Sequence, residues 1–348
     1  MIDSRYFPVL YKECRKAKLL EKGADAIQAL IDRKGVQAVV ESKQMFSFLD
    51  VDGYLIKCAE GVAFFPRTIT PINRNSGVTR LRKIFLDVDL VLPPYIPLGY
   101  LSSHGAQIEN AKTPQEKERL VGEMLEERCN GSLDMADACT GIYQRDPCIV
   151  PFYDSLLEAI EAHYLGLHRA SVLTLIPCVE GIIRNLAKMV GMNIDDRIDA
   201  ESFLETLTKV QRRHIKEVEL KGIDWIPTEL ASVAFFDQAH ERIQMVESIR
   251  VFVEHALYQH TSMYGKTSRL NRHGIVHGLI SDFHTPTNFY RLIVLINALS
   301  VASIVAGRSA SLLRQPSTKE GLQLAMHFEA CKATAFQAAS SKHFASNA

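Results

Sequence analysis

From Leu292 to Gly307 the chain carries no charged residue and only three polar interruptions, Asn297, Ser300 and Ser303. Such a run has to be hidden from water. It is shorter than the ~20 residues that cross a bilayer, so it reads as a buried helix, started by the N-cap and proline of Thr285-Pro286. Neighbours must cover it along its whole length, and the sequence offers amphipathic helices to do so. Phe152, Leu156, Leu157, Ile160 and Tyr164 repeat at helical spacing, as do Val172, Leu175, Ile176, Val179, Ile183 and Leu186, with Pro177 set to kink the second helix. A long helix is expected over residues 229–259, with Val246, Ile249, Val253 and Leu257 on one stripe. A last one is expected over 319–344, carrying Leu322, Met326, Phe328 and Phe336. The expected fold class is mainly α, an antiparallel helical bundle with an N-terminal α+β region.

The first part of the chain is less uniform. Residues 8–42 look helical, and strands are expected at Met45–Leu49 and Tyr54–Cys58 around a turn at Asp50-Val-Asp-Gly53, with a third at Ile84–Leu92. Prolines 93, 94 and 97 keep the next segment irregular. Thr113-Pro114-Gln115-Glu116 combines an N-cap, a first-turn proline and a capping-box glutamate, and starts a helix to about Cys129. Composition changes at Gln144–Pro147. The expected organisation is an α+β region over 1–146, a helical bundle over 147–310 and a C-terminal helix over 311–348.

Forty basic residues balance forty acidic ones, so no whole-molecule field draws the protein onto a polyanion and any such site must be local. The seven cysteines are scattered and unpaired in pattern, as in a reducing compartment. The N-terminus lacks an apolar core of signal-peptide length. The reading is a cytoplasmic protein without a membrane span.

Against this background Asn271-Arg272-His273-Gly274-Ile275-Val276-His277-Gly278 stands out, because it gathers a permanent cation, a titratable imidazole and two glycines. Arginine clamps phosphate, and histidine moves a proton near neutral pH. With 22 arginines and 12 histidines, the bare spacing is expected by chance about twice, and it occurs twice. Arg250–His255 lies in the expected long helix and is assigned no role. Arg272–His277 instead follows a loop, so it sits at a helix start, where free N–H groups favour an anion. A polar residue follows the arginine, and His-Gly leads into the buried helix. Asn271 is placed as its cap.

Arg272-His273-x-x-x-His277 within helices resembles the HEPN superfamily (higher eukaryotes and prokaryotes nucleotide-binding), many of whose members are metal-independent ribonucleases of defence and toxin–antitoxin systems. The resemblance spans roughly residues 151–308, with Leu173–Arg184 similar to the helix beside the motif and Asp282–Leu299 to the one after it. It implies that Arg272 and His277 are catalytic, with His273 at the usual polar position, on single-stranded RNA cut by 2′-hydroxyl transesterification. It also implies a homodimer with a shared active site and a regulator or trigger. One toxin branch carries a tyrosine two places after the histidine, where this chain has Leu279. An apolar helix 286–307 in need of cover suits a two-fold dimer.

Other readings of the same residues are weaker. His273 and His277 have metal-ligand spacing, with His255, His260, Asp282 or His284 as a third ligand, but Gly-Ile-Val lies between them and no cysteine is near. Neither a metal nor any other cofactor is expected. Tyr264-Gly265-Lys266-Thr267 fails as a P-loop, since the earlier glycine falls at His260. Glu180 lies one turn from Arg184, either as an ion pair with it or as a group that orients Arg272 or His277. Arg74, Arg80, Arg82 and Lys83 form a basic cluster, read as a solvated edge or an RNA-guiding patch. The rival to a nuclease is a catalytically silent helical binding or scaffold protein.

Overall fold

The computed structural model describes residues 6–69, 77–196, 199–311 and 316–346, with the side chains up to residue 338. Arg74 of the basic cluster lies outside them. The chain is mainly helical, with one small antiparallel sheet near the N-terminus. It divides into two compact units, Met1–Ser76 with Gln211–Gln244, and Gly77–Val210 with Met245–Ala348.

In the smaller unit, helices Tyr6–Lys16, Leu19–Lys22 and Ala24–Arg33 precede strands β1 (Ala38–Met45), β2 (Val51–Cys58) and β3 (Gly61–Pro66), hydrogen-bonded in that order. The helix expected to reach residue 42 stops at Arg33, and β1 takes its place. β1 has no clean alternation to announce it, being exposed or half-buried throughout. The expected turn also moves. Met45 pairs with Val51, so the connection is residues 46–50 and Gly53 lies inside β2. A side chain there would collide with the ring of Phe64 and the carbonyl of Phe65 on β3, which explains the glycine.

The expected strand at Ile84–Leu92 is instead the end of helix Gly77–Asp87 and an irregular segment. Leu81, Ile84, Phe85 and Val88 are all buried at helical spacing, and that period outweighs the local alternation. Thr113 caps Pro114–Cys129 as expected, its hydroxyl accepting from Glu116 N–H at 3.1 Å while Lys112 N–H donates to the Glu116 carboxylate at 2.9 Å.

Helix Pro286–Val305 forms the axis of the larger unit. By length and composition it and His168–Met189 are apolar enough to cross a membrane, but 94% and 67% of their most apolar windows are buried inside the protein, as core helices are. Cover for Pro286–Val305 therefore comes from its own chain, which removes the expected argument for a dimer from its apolar faces. All six apolar positions expected on the stripe from Val172 to Leu186 are buried, and the helix continues through Pro177. The single helix expected over 229–259 is broken into Val233–Phe236, Glu241–Phe252 and a π-helical turn Val253–Leu257. On Lys319–Ser346, Phe328 is buried whereas Leu322, Met326 and Phe336 are exposed.

The compositional break at Gln144–Pro147 lies inside the larger unit. Asp146 is fully buried, accepting from the Ser303 hydroxyl at 2.6 Å and pairing with Arg308 at 3.1 Å. The polar interruptions of the apolar run are explained here. Arg308 Nη2 donates to the Ser300 carbonyl and hydroxyl at 3.3 and 3.0 Å, and Asn297 accepts from Tyr143 OH at 2.8 Å. All seven cysteines are free thiols.

Candidate functional site

Arg272–Val276 is a helix of only five residues, and its ends explain its sequence. Asn271 caps it, its side-chain oxygen accepting from Gly274 N–H at 2.9 Å. At the other end Gly278 has φ +70°, the left-handed conformation in which glycine is least strained. Leu279 N–H donates to Gly274 C=O at 2.8 Å and Gly278 N–H to Ile275 C=O at 3.1 Å, the paired bonds of a Schellman ending. Gly274 is fixed by packing. It is buried, and a Cβ there would meet the Ile280 side chain at 2.6 Å, so the residue is small because Ile280 packs onto the backbone. A helix this short sums few peptide dipoles, so attraction for an anion rests on the guanidinium and not on the helix start.

Buried polar anchors hold this turn in place. Asn271 is fully buried and donates to the Ala256 and Gln259 carbonyls at 3.2 and 2.8 Å, closing the loop 260–271 at its root. Farther along that loop, Lys266 pairs with the buried Asp89 at 2.9 Å, and the Tyr264 and Ser268 hydroxyls donate to the same carboxylate. Asn288 on the axial helix donates to Ser268 C=O at 2.6 Å and Phe283 C=O at 2.8 Å. Arg291, one turn on, is 1% exposed and makes a two-pronged pair with Glu118 at 2.8 and 2.6 Å. These anchors satisfy groups that would otherwise be stranded in the core, and they fix where Arg272 emerges.

The Arg272 side chain is 18% exposed and meets Glu180 from His168–Met189, with Nε 2.6 Å from Oε1. Tyr258, directly after the π turn, donates its hydroxyl to the same oxygen at 2.6 Å, and the guanidinium lies 5.9 Å from its ring centre. Burial raises the Tyr258 phenol well above its ordinary range, the Glu180 hydrogen bond and charge raise it further, and Arg272 and Arg184 pull against them. The phenol therefore stays protonated and donates. Arg184 approaches the other Glu180 oxygen only to 4.0 Å. Of the two arginines, Glu180 thus engages Arg272 far more closely than Arg184. Among the described residues the terminal nitrogens of Arg272 have no hydrogen-bond partner.

His277 is exposed at the C-cap, and its ring lies 4.4 Å from that of His273, also exposed. No hydrogen bond joins either imidazole to Arg272 or Glu180 among the described residues. On the same short segment Val276 and Leu279 are 50% and 65% exposed, and Met263 in the preceding loop is 74% exposed. One five-residue turn thus carries a half-buried cation and, at its far end, an open pair of imidazoles. A separate cavity of about 610 Å³ in the same unit is lined by Tyr95, Arg128, Met135, Arg145, Asn297 and Arg308 among others, and by none of the residues expected at the site.

Sequence reasoning missed Tyr258, Asp89 and Asn288. Tyr258 ends a helix without a spacing signal, and the other two act across long separations. At Asn288 the one local hint was a polar residue in the first turn of an apolar helix.

Comparison of this chain with protein-family models, with curated proteins and with solved structures found no match.

Proposed function

We propose that the protein is a metal-independent endoribonuclease of HEPN-like architecture that acts on single-stranded RNA in the cytoplasm, with Arg272 and His277 as its chemical groups. The observation that carries this reading is the Glu180–Arg272–Tyr258 cluster. It engages a guanidinium through Nε alone and leaves the terminal nitrogens for an anion, one short turn before an exposed imidazole. A fixed cation beside a proton carrier is what phosphate transesterification requires. The 2′-hydroxyl loses its proton to His277 as its oxygen attacks the adjacent phosphorus. Arg272 neutralises the charge that grows on the phosphoryl oxygens. The bond to the 5′-oxygen then breaks, and that oxygen takes up a proton to leave a 2′,3′-cyclic phosphate and a 5′-hydroxyl. The exposed Val276 and Leu279, on either side of His277, support a homodimer that closes over this segment and shares the site, so that a second His277 supplies the leaving-group proton. The role of a defence or toxin-type nuclease under a regulator or trigger rests on the resemblance alone.

The test is cleavage of labelled single-stranded RNAs in EDTA by wild type, Arg272→Ala and His277→Ala, each checked for folding by circular dichroism. Cleavage by wild type only, with cyclic phosphate ends, is the expected result. Equal cleavage by the variants overturns the site assignment. The rival, a silent binding or scaffold protein, draws support from Glu180, which already neutralises Arg272. It gains if wild type binds these RNAs without cutting them.

A further inference from the structure

In the smaller unit, three side chains with metal-ligand chemistry meet where two irregularities of the backbone coincide. Helix Ala200–His214 ends in a π-helical turn, Ile215–Glu219, closed by Leu220 N–H donating to Ile215 C=O at 2.8 Å. In a regular helix a side chain faces the one four positions on, whereas the widened turn shifts the partner to five. His214 and Glu219 are five apart, and Nε2 of the histidine lies 3.5 Å from Oε1 of the glutamate. His240, just before helix Glu241–Phe252, brings its Nε2 to 3.0 Å from the same oxygen. All three ligand atoms lie within 4.8 Å of one another.

Bond lengths of about 2.0–2.2 Å to nitrogen and oxygen place neighbouring ligands of a tetrahedral zinc ion roughly 3.3–3.5 Å apart. The two edges to Glu219 Oε1, 3.5 and 3.0 Å, sit at and just below that spacing. Two imidazoles and one carboxylate are also a ligand set that selects zinc and its transition-metal neighbours over magnesium or calcium. The surroundings are dry on one side. His214 is 2% exposed, and the rings of Phe48 and Phe236 pack edge-on against His240 at 5.0 and 5.9 Å. Glu219, at 20%, marks the side open to solvent.

We propose that His214, Glu219 and His240 bind one divalent transition-metal ion of the zinc class, with water in the fourth position. Binding requires the His240 ring to carry its proton on Nδ1, which gives up both the Nε2–H donation to Glu219 at 3.0 Å and a long 3.4 Å contact from Ile243 N–H, the ion taking the place of the lost proton between Nε2 and the carboxylate. The ion ties the end of one helix to the start of another and plays no part in the proposed RNA chemistry, which uses other residues.

The test uses the full chain, stripped with EDTA, dialysed and titrated with zinc chloride, with bound metal counted by plasma mass spectrometry. One zinc per chain with a dissociation constant below about 1 μM is expected, together with a rise in melting temperature. Cobalt(II) should give the visible absorption of a four-coordinate site. Glu219→Gln and His240→Ala, less buried than His214 and checked for folding, should each lose more than the roughly 10–100-fold in affinity that a merely supporting residue costs. His273→Ala/His277→Ala should keep the stoichiometry. No saturable zinc binding in wild type overturns the proposal, as does binding that survives Glu219→Gln and His240→Ala or is lost with the His273/His277 pair.

Discussion

Arg250–His255 and Arg272–His277 are the same pattern written twice in the larger unit, an arginine and, five places on, a histidine. Their surroundings differ completely. Arg250 is enclosed by its own helix: Glu247 accepts from its Nε and Nη2 at 3.0 and 2.7 Å, and Glu254 from its Nη1 at 2.9 Å. Two carboxylates within four positions cancel its charge and occupy its donors. His255 is 54% exposed and lies 3.6 Å from Glu254. Arg272 is met instead by Glu180, 92 positions away, through Nε alone. Spacing is thus no measure of a site; what matters is which donors the protein leaves unspent. A guanidinium satisfied by near neighbours is a surface feature, while one held from behind by a distant glutamate still has donors to offer.

The comparison is broken most directly by activity. Arg272→Ala and His277→Ala should each lower RNA cleavage by about 10²–10⁴-fold, the usual worth of a general acid–base or charge-stabilising group. Arg250→Ala and His255→Ala should stay within twofold, and a large loss in either would erase the distinction. Next comes stability. Asn271→Ala removes a helix cap and strands two carbonyls, and should cost ~2–3 kcal/mol in urea unfolding; a loss below 1 kcal/mol would show that the loop is not anchored there.

Acid sharpens the contrast from another side, because neither segment's imidazole is buried. His163 is: its ring stacks 3.9 Å from that of Phe289, and burial drives its pKa down to about 3, with nearby His168 adding to the effect. The unfolded chain takes up this proton near pH 6.5 and the folded one does not. Stability from this group is therefore complete above about pH 6.5 and lost progressively as pH falls towards 3, by about 2 kcal/mol between pH 6.5 and 5. His163→Phe should flatten that slope and His255→Ala should leave it unchanged, as followed by melting temperature against pH. Glu180→Gln should destabilise by ~1–2 kcal/mol, against under ~0.5 kcal/mol for the more local Glu247→Gln. Similar losses for the two would mean that the distant pair is worth no more than a surface one. Tyr258→Phe removes one hydrogen bond to a carboxylate and should cost about 1.5 kcal/mol in the same urea unfolding.

Period and punctuation made the helical part of the fold legible. The stripe from Val172 to Leu186, the Thr113 and Thr285 caps and the burial of 286–305 follow from rules that act over a few residues, and the structure has them. The same locality explains the errors. β1 is an exposed strand whose identity comes from pairing with β2, so its own residues read as helix. Gln144–Pro147 looks like a linker because nothing within reach along the chain reveals that Asp146 is buried against Ser303 and Arg308.

For the candidate site the sequence by itself determined the turn: Asn271 starts it, Gly278 ends it, and Arg272, His273 and His277 travel on it whatever surrounds them. Tertiary structure alone decided that Glu180 and Tyr258 stand behind Arg272, that Asp89 and Asn288 pin the loop, and that His214 and His240 converge on Glu219. The physical reason is one of range. Backbone hydrogen bonds and caps are settled among residues a few positions apart, whereas a buried charge takes its partner from whichever distant segment the packing of the core brings beside it.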